Sequence, residues 1–210
     1  MIQGRVLLRL TSALALLAAA VMLPAQTGQN ADYWPMKAGN SWALAAKAGG
    51  QEIITTFKVD KVEGDVATLS YSANNRVVQI EKYRRTPKAL LRIAGGANGS
   101  STFTPPMPLM QLPLKSGQKW EWSGTIQLAP GSSVKGSSTF SVSGPVTVKT
   151  PAGTFQALKV HSDLTIEAQG QKQKFPNDYW FAAGVGLVQQ YAELGPTPID
   201  AKLTKYTVKR

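Results

Sequence analysis

From Gly39 onward, apolar side chains recur mainly at every second position. Ile53, Thr55, Phe57 and Val59 share one face of such a run, with Glu52, Thr56, Lys58 and Asp60 on the other. Ala67, Leu69 and Tyr71 repeat the pattern, as do Leu158, Val160, Leu164 and Ile166 against Lys159, His161, Asp163 and Glu167. Successive side chains of a strand point to opposite faces, so this alternation predicts antiparallel strands with one packed and one wet face. Turn signals separate the runs at hairpin distances: Gly49-Gly50, Glu63-Gly64-Asp65, Asn74-Asn75, Thr150-Pro151-Ala152-Gly153 and Gln169-Gly170. No helix of three turns is predicted after the first 25 residues. Lys88 to Ala94, which follows Pro87, reads either as one helical turn or as a strand.

An eight-residue segment occurs twice. Pro35-Met36-Lys37-Ala38-Gly39-Asn40-Ser41-Trp42 matches Pro113-Leu114-Lys115-Ser116-Gly117-Gln118-Lys119-Trp120, and Thr56-Phe57-Lys58-Val59 is echoed by Thr139-Phe140-Ser141-Val142. Two related β-meanders, residues 33–103 and 111–210, account for this, each with a glycine turn and a tryptophan that starts a strand by burying its ring. Between them, residues 104–113 contain four prolines. A central strand needs amide donors that proline lacks, so an extended connector is expected here. Its Met107, Leu109, Met110 and Leu112 are apolar enough to make it a strap closing one end of the sheet, or a flap over an apolar ligand.

Together these features predict an all-β domain over residues 26–210, an antiparallel half-open barrel or two-layer sheet of roughly ten to twelve strands. Trp42, Trp120, Trp122, Trp180, Phe57, Leu69, Phe140, Leu158, Val160 and Leu187 form its expected core.

The first 25 residues read differently. Arg5 and Arg9 precede an unbroken apolar run from Ala13 to Leu23, and small Ala25 follows Pro24. Basic, apolar and small residues in that order read as a cleavable secretory signal peptide with a helical apolar segment. The run is too short to span a bilayer, and no later stretch is long enough to do so. A periplasmic or secreted bacterial protein is expected, with no stable membrane span after cleavage.

The 210 residues include no cysteine and one histidine. This removes disulfides, thiolate metal sites, a cysteine nucleophile and any multi-histidine metal site, and no cofactor is expected. His161 and Asp163 share a strand face, but residues two apart are not aimed at each other as a general base and its orienting carboxylate must be. Gly184-Val185-Gly186 lacks the third glycine and following helix of a phosphate loop. Asp60, Glu63 and Asp65 lack the alternation of a calcium loop. Asn98-Gly99-Ser100 has the form of a glycosylation sequon and reads as a flexible turn. No catalytic or metal-binding residue is expected.

Charge adds one candidate. The chain carries +11, and Arg76, Lys82, Arg84, Arg85 and Lys88 crowd one stretch, with Arg92 just beyond. Clustered cations attract polyanions; outside the cytoplasm these are lipid headgroups and acidic glycans rather than nucleic acid. The same residues equally serve to protect a sheet edge from aggregation.

Thr150-Pro151-Ala152-Gly153-Thr154-Phe155, the run Asp178-Tyr179-Trp180 to Gly184-Val185-Gly186-Leu187-Val188, and the opening Tyr33-Trp34-Pro35 to Trp42 together resemble the TapB-like group of bacterial exported proteins of unknown function. The resemblance implies an all-β, exported domain and assigns no chemistry. The expected function is a non-enzymatic binding module for a lipid or other apolar molecule. The alternative is an envelope interaction protein whose basic face meets an anionic polymer or a partner protein.

Overall fold

The computed structural model describes residues 31–48, 50–129, 131–193 and 198–209, so the expected signal peptide, residues 1–25, lies outside the described residues. The described chain is built from strands and contains no helix. In order they are β1 (Ser41–Ala48), β2 (Gln51–Glu63), β3 (Val66–Ala73), β4 (Arg76–Arg85), β5 (Ala89–Gly95) and β6 (Ser101–Gln111), then β7 (Lys119–Ala129), β8 (Ser132–Thr150), β9 (Gly153–Ala168), β10 (Gln171–Ala182), β11 (Gly186–Ala192) and β12 (Ile199–Thr207). Each pairs antiparallel with its neighbours in sequence, and β12 pairs with β1, closing a barrel. The ambiguous Lys88–Ala94 segment is therefore mostly strand β5.

Closure corrects the expected half-open barrel or two-layer sheet. The overlooked element is β12, where Lys202 and Thr204 alternate with buried Ala201 and Leu203 before exposed Lys205. Its inner face lets it pair with β11 on one side, Gln190 opposite Ala201, and with β1 on the other, Leu44 opposite Leu203. Among the described residues every strand has a neighbour on both sides, which blocks the usual route to aggregation of an open sheet. Of the expected core, Trp180 alone is only partly buried; it packs from the outer face beside Lys159.

The two tryptophan corners are built alike. Gly39 and Gly117, at φ 89° and 85°, donate their amides to Val59 and Val142, whose own amides donate to the carbonyls of Asn40 and Gln118. The Asn40 side-chain amide donates to the Pro35 carbonyl at 2.7 Å, and that of Gln118 to the Pro113 carbonyl at 3.1 Å. From these corners Trp42 pairs across to Phe57, and Trp120 to Phe140, with the latter rings stacked 5.1 Å apart.

Residues 104–111 stand in the barrel wall as part of β6 rather than crossing an end of the sheet. One side of β6 pairs with β5, while the other meets β7 in backbone register only from Thr102 to Thr104. Past that point the prolines have no amide to offer. The gap is sealed by side chains of β7: the indole N–H of Trp122 donates to the Pro105 carbonyl and that of Trp120 to the Pro108 carbonyl, both at 2.9 Å. Gly124 makes the approach possible, since a Cβ there would lie 2.4 Å from the Thr104 oxygen. Met107, Leu109 and Met110 are buried in the core and Leu112 packs against it.

The end of the barrel where β1 begins is plugged. Residues 31–40 cross it, and Trp34 inserts among Trp42, Tyr83 and Phe181 with ring centroids 5.3–6.3 Å apart. Arg85 holds the plug from outside through Asp32 and the Trp34 carbonyl. At the opposite end, where β3 meets β4 and β9 meets β10, none of the described loop residues is buried, so among the described residues that end is uncovered.

Replacing Trp120 or Trp122 with Phe keeps an aromatic ring but leaves a proline carbonyl without its donor. Each change should lower stability by about 1–3 kcal/mol in denaturant titrations. Trp180→Phe serves as the control, at about 0.5 kcal/mol. Equal losses in all three would remove the indoles from their sealing role.

Candidate functional site

At the uncovered end the lumen wall is partly apolar. Leu44 and Ala46 of β1, Thr55 and Phe57 of β2, and Ile199 and Ala201 of β12 surround a recess of about 50 Å³. Tyr71 of β3 and Gln190 of β11 complete its lining. The same end carries exposed Ile54, Val77 and Val78, with Ile54 on the outer face of β2, turned away from Ile53 and Thr55. An alternating strand puts an apolar side chain on the lumen at every second position, and the small residues Ala46, Ala192 and Ala201 leave the space.

Recess and core meet at a polar cluster. Tyr71 stands directly opposite Gln79, and Gln190 directly opposite Tyr179. Gln79 donates to Glu81, as do the hydroxyl of Tyr83 and the guanidinium of Arg92, so one carboxylate gathers three donors. Arg92 also lies over the Phe103 ring, 5.0 Å from its centroid. Its Nε is buried and has no acceptor among the described residues. Burial, reinforced by the Glu81 charge, pushes the Tyr83 phenol well above its ordinary value of 10. Tyr71 is raised mainly by burial and Tyr179 likewise, each with a further contribution from Glu81. All three phenols therefore stay protonated and remain hydrogen-bond donors near neutral pH. An apolar recess joined to convergent polar groups with shifted pKa values is the usual form of a ligand site.

The outer face of β7–β10 carries a second cluster. Asp178 of β10 stands opposite His161 of β9, and its Oδ1 is 2.7 Å from the His161 Nδ1. Asp163 Oδ2 is 3.2 Å from Nε2, so these two residues on one strand do touch, contrary to the expected lack of aim. Lys159 completes the group at 3.3 Å from Asp178. A histidine acting as general base needs one nitrogen free to take a proton from a nucleophile. Here both nitrogens face carboxylates, an arrangement that clamps an imidazolium between strands. Beside it, Glu121, Ser137, Thr139, Asp163 and Lys174 line an open polar groove of about 460 Å³.

The predicted cations do not form one patch. Arg76 begins β4 at the uncovered end, and Lys88 lies in the turn at the plugged end. Lys82 is exposed between them. Arg84 pairs with Asp65 at 3.4 Å, Arg85 with Asp32 at 2.9 Å, and Arg92 turns inward to Glu81. The apolar candidates Met107, Leu109 and Met110 are buried in the barrel wall away from the recess. Among the described residues no group of three acidic or histidine side chains is placed to hold a metal ion. Glu81 and Asp178 escaped the sequence reading because the cations that mark them, Arg92 for Glu81 and His161 with Lys159 for Asp178, are contributed by neighbouring strands. The only local signal was a charge at an inward position of β4, among Gln79 and Tyr83.

A family model described as DUF3108-like matches residues 140–192, from within β8 to the end of β11. None of the curated proteins matches the sequence. The fold is similar to that of a presumed exported protein with a YmcC-like fold from Bacteroides fragilis, with a TM-score of 0.52 and 15% identity, covering 84% of this chain and 99% of that one. A presumed lipoprotein from Parabacteroides distasonis gives a TM-score of 0.46 at 14% identity, covering 84% and 99%. The hypothetical lipoprotein YmcC of Escherichia coli gives 0.42 at 16%, covering 80% and 84%. At 15% identity the likeness to the Bacteroides fragilis protein concerns the fold alone.

The His161 clamp makes stability depend on pH. Burial lowers the imidazole pKa, but hydrogen bonds donated by its ring to Asp178 and Asp163 outweigh it and raise the value above the ordinary 6.5. A folded pKa above the unfolded one stabilises the fold fully below about 6.5, and the contribution disappears as pH rises through the folded value. Thermal unfolding of wild type and His161→Asn should therefore differ most in mild acid and converge in alkali. A difference that grows with pH would contradict the clamp.

Proposed function

We propose that the chain is an exported, non-enzymatic binding module that receives an apolar group at the uncovered end of its barrel. One observation carries this reading: the barrel is plugged by Trp34 at one end, while an apolar recess lined by Leu44, Phe57, Ile199 and Ala201 adjoins the lumen at the other. The resting recess has room for only a few water molecules. The apolar group that enters is accordingly short, a chain end or a small acyl group. Export is supported by the basic-apolar-small order of the first 25 residues, and kinship with the TapB-like group forms part of the same proposal.

A second reading has its own observation. The polar groove beside Asp163 is large enough for a small ligand, within the usual range of about 300–1,000 Å³. It suits a hydroxyl-rich envelope polymer. An anionic polymer is the weaker form of this reading, because Glu121 and Asp163 line the groove and the predicted cations are dispersed.

Native mass spectrometry of protein released gently from the periplasm tests the first reading. Wild type and the β6-end variant Leu112→Ala should carry the same small bound mass, and Ala201→Phe, which fills the recess, should lose it. Retention of that mass by Ala201→Phe would overturn the assignment.

A further inference from the structure

We infer that the ligand is held through a neutral oxygen acceptor, the carbonyl of a short acyl ester, and that Arg92 is the residue that selects it. The inference rests on the reading of the uncovered end as the binding end and adds the chemical class of what binds there.

Arg92 is the cation of the cluster and Glu81 its matching anion, so the pair is already neutral before any ligand arrives. A carboxylate entering beside them would bring a second negative charge into a wall lined by Tyr71, Tyr83 and Tyr179. Burial and the Glu81 charge already disfavour a further anion there. Low local dielectric makes such an unmatched charge expensive.

Donors, by contrast, are in surplus. Glu81 engages one terminal nitrogen of Arg92, and Nε is buried without an acceptor among the described residues. A buried N–H lacking its hydrogen bond is unfavourable, and a ligand that supplies the acceptor recovers that loss. The Tyr179 phenol, close enough to feel both Arg92 and Glu81, adds another donor. Donors without an available counter-charge favour an uncharged oxygen.

Position links these groups to the apolar recess. Tyr71 and Gln190 line it, and their cross-strand partners Gln79 and Tyr179 belong to the cluster. A ligand with its apolar end among Leu44, Phe57 and Ala201 therefore has its nearest polar atom beside β4 and β10. An apolar group of two or three carbons followed by a carbonyl matches the small recess and the adjoining donors.

NMR titration of isotope-labelled full-length protein at neutral pH, with monobutyrin and with butyrate as probes, tests the assignment. Monobutyrin should shift the amides of Tyr71, Gln190 and Ala201 and bind about tenfold more tightly than butyrate. Arg92→Met alone leaves Glu81 buried without its cation and is prone to unfold. The informative variant is the double change Glu81→Gln with Arg92→Met, which stays neutral and should lose the ester preference. Equal or tighter binding of butyrate by wild type, or an ester preference that survives in the folded double variant, would overturn the inference. In that case the binding end itself still stands on the Ala201→Phe result. Shifts from neither probe would overturn the acyl class.

Discussion

A strand that contains proline cannot complete a hydrogen-bonded ladder on both sides, and the closure of this barrel turns on how that shortage is met. Along β6 the ladder to β7 stops at Thr104, and the Pro105 and Pro108 carbonyls beyond it face β7 without backbone partners. The indole N–H groups of Trp122 and Trp120 take the place of two ladder bonds. An indole can do this because its donor sits at the edge of a large apolar ring: the ring fills the core while the edge satisfies a carbonyl. A comparable arrangement recurs near the other junction, where the Trp42 indole donates to the Val185 carbonyl at 2.6 Å. Tryptophan thus supplies both packing volume and backbone satisfaction where the strand ladder is shortest.

Closure has a consequence for binding. In an open sheet, a ligand would sit on the concave face beneath the β6 segment. In a closed barrel that face is interior and is filled by Trp34, Trp120, Trp122, Phe140 and Phe181. The remaining space is pushed to the end farthest from the plug, where alanines replace aromatics. Between that space and the plug the lumen wall becomes polar, with Glu81 and Arg92 set among tyrosines. A buried ion pair adds little net stability compared with a well-packed apolar substitute. Its retention beside a recess fits a role in recognition.

How much of this could be read from the sequence depended on whether the controlling interaction was local. The alternation in Ile53–Val59 and Leu158–Ile166 placed strands and their inner faces, because side-chain period is a local property. The glycine turns before Trp42 and Trp120 were legible for the same reason. Closure was not, since β12 is amphipathic but rich in lysine and its pairing with β1 joins residues far apart in sequence. The prolines of residues 104–111 correctly signalled missing donors, yet nothing local announced that tryptophans of the following strand would replace them. In the site, Arg92 read as one more surface cation because the carboxylate that turns it inward, Glu81, lies on the neighbouring strand. Asp178 was hidden from the His161 reading in the same way.

The most direct measurement is hydrogen–deuterium exchange at the indole nitrogens, followed by NMR under native conditions. If the side chains seal the β6–β7 seam, the indole protons of Trp120 and Trp122 exchange only as slowly as the backbone amides in the centre of β8 and β9, through opening of the whole barrel. Exchange at these two positions as fast as at a solvent-facing indole, while the β8 and β9 amides remain protected, would show that the barrel stays shut without them and would contradict the account.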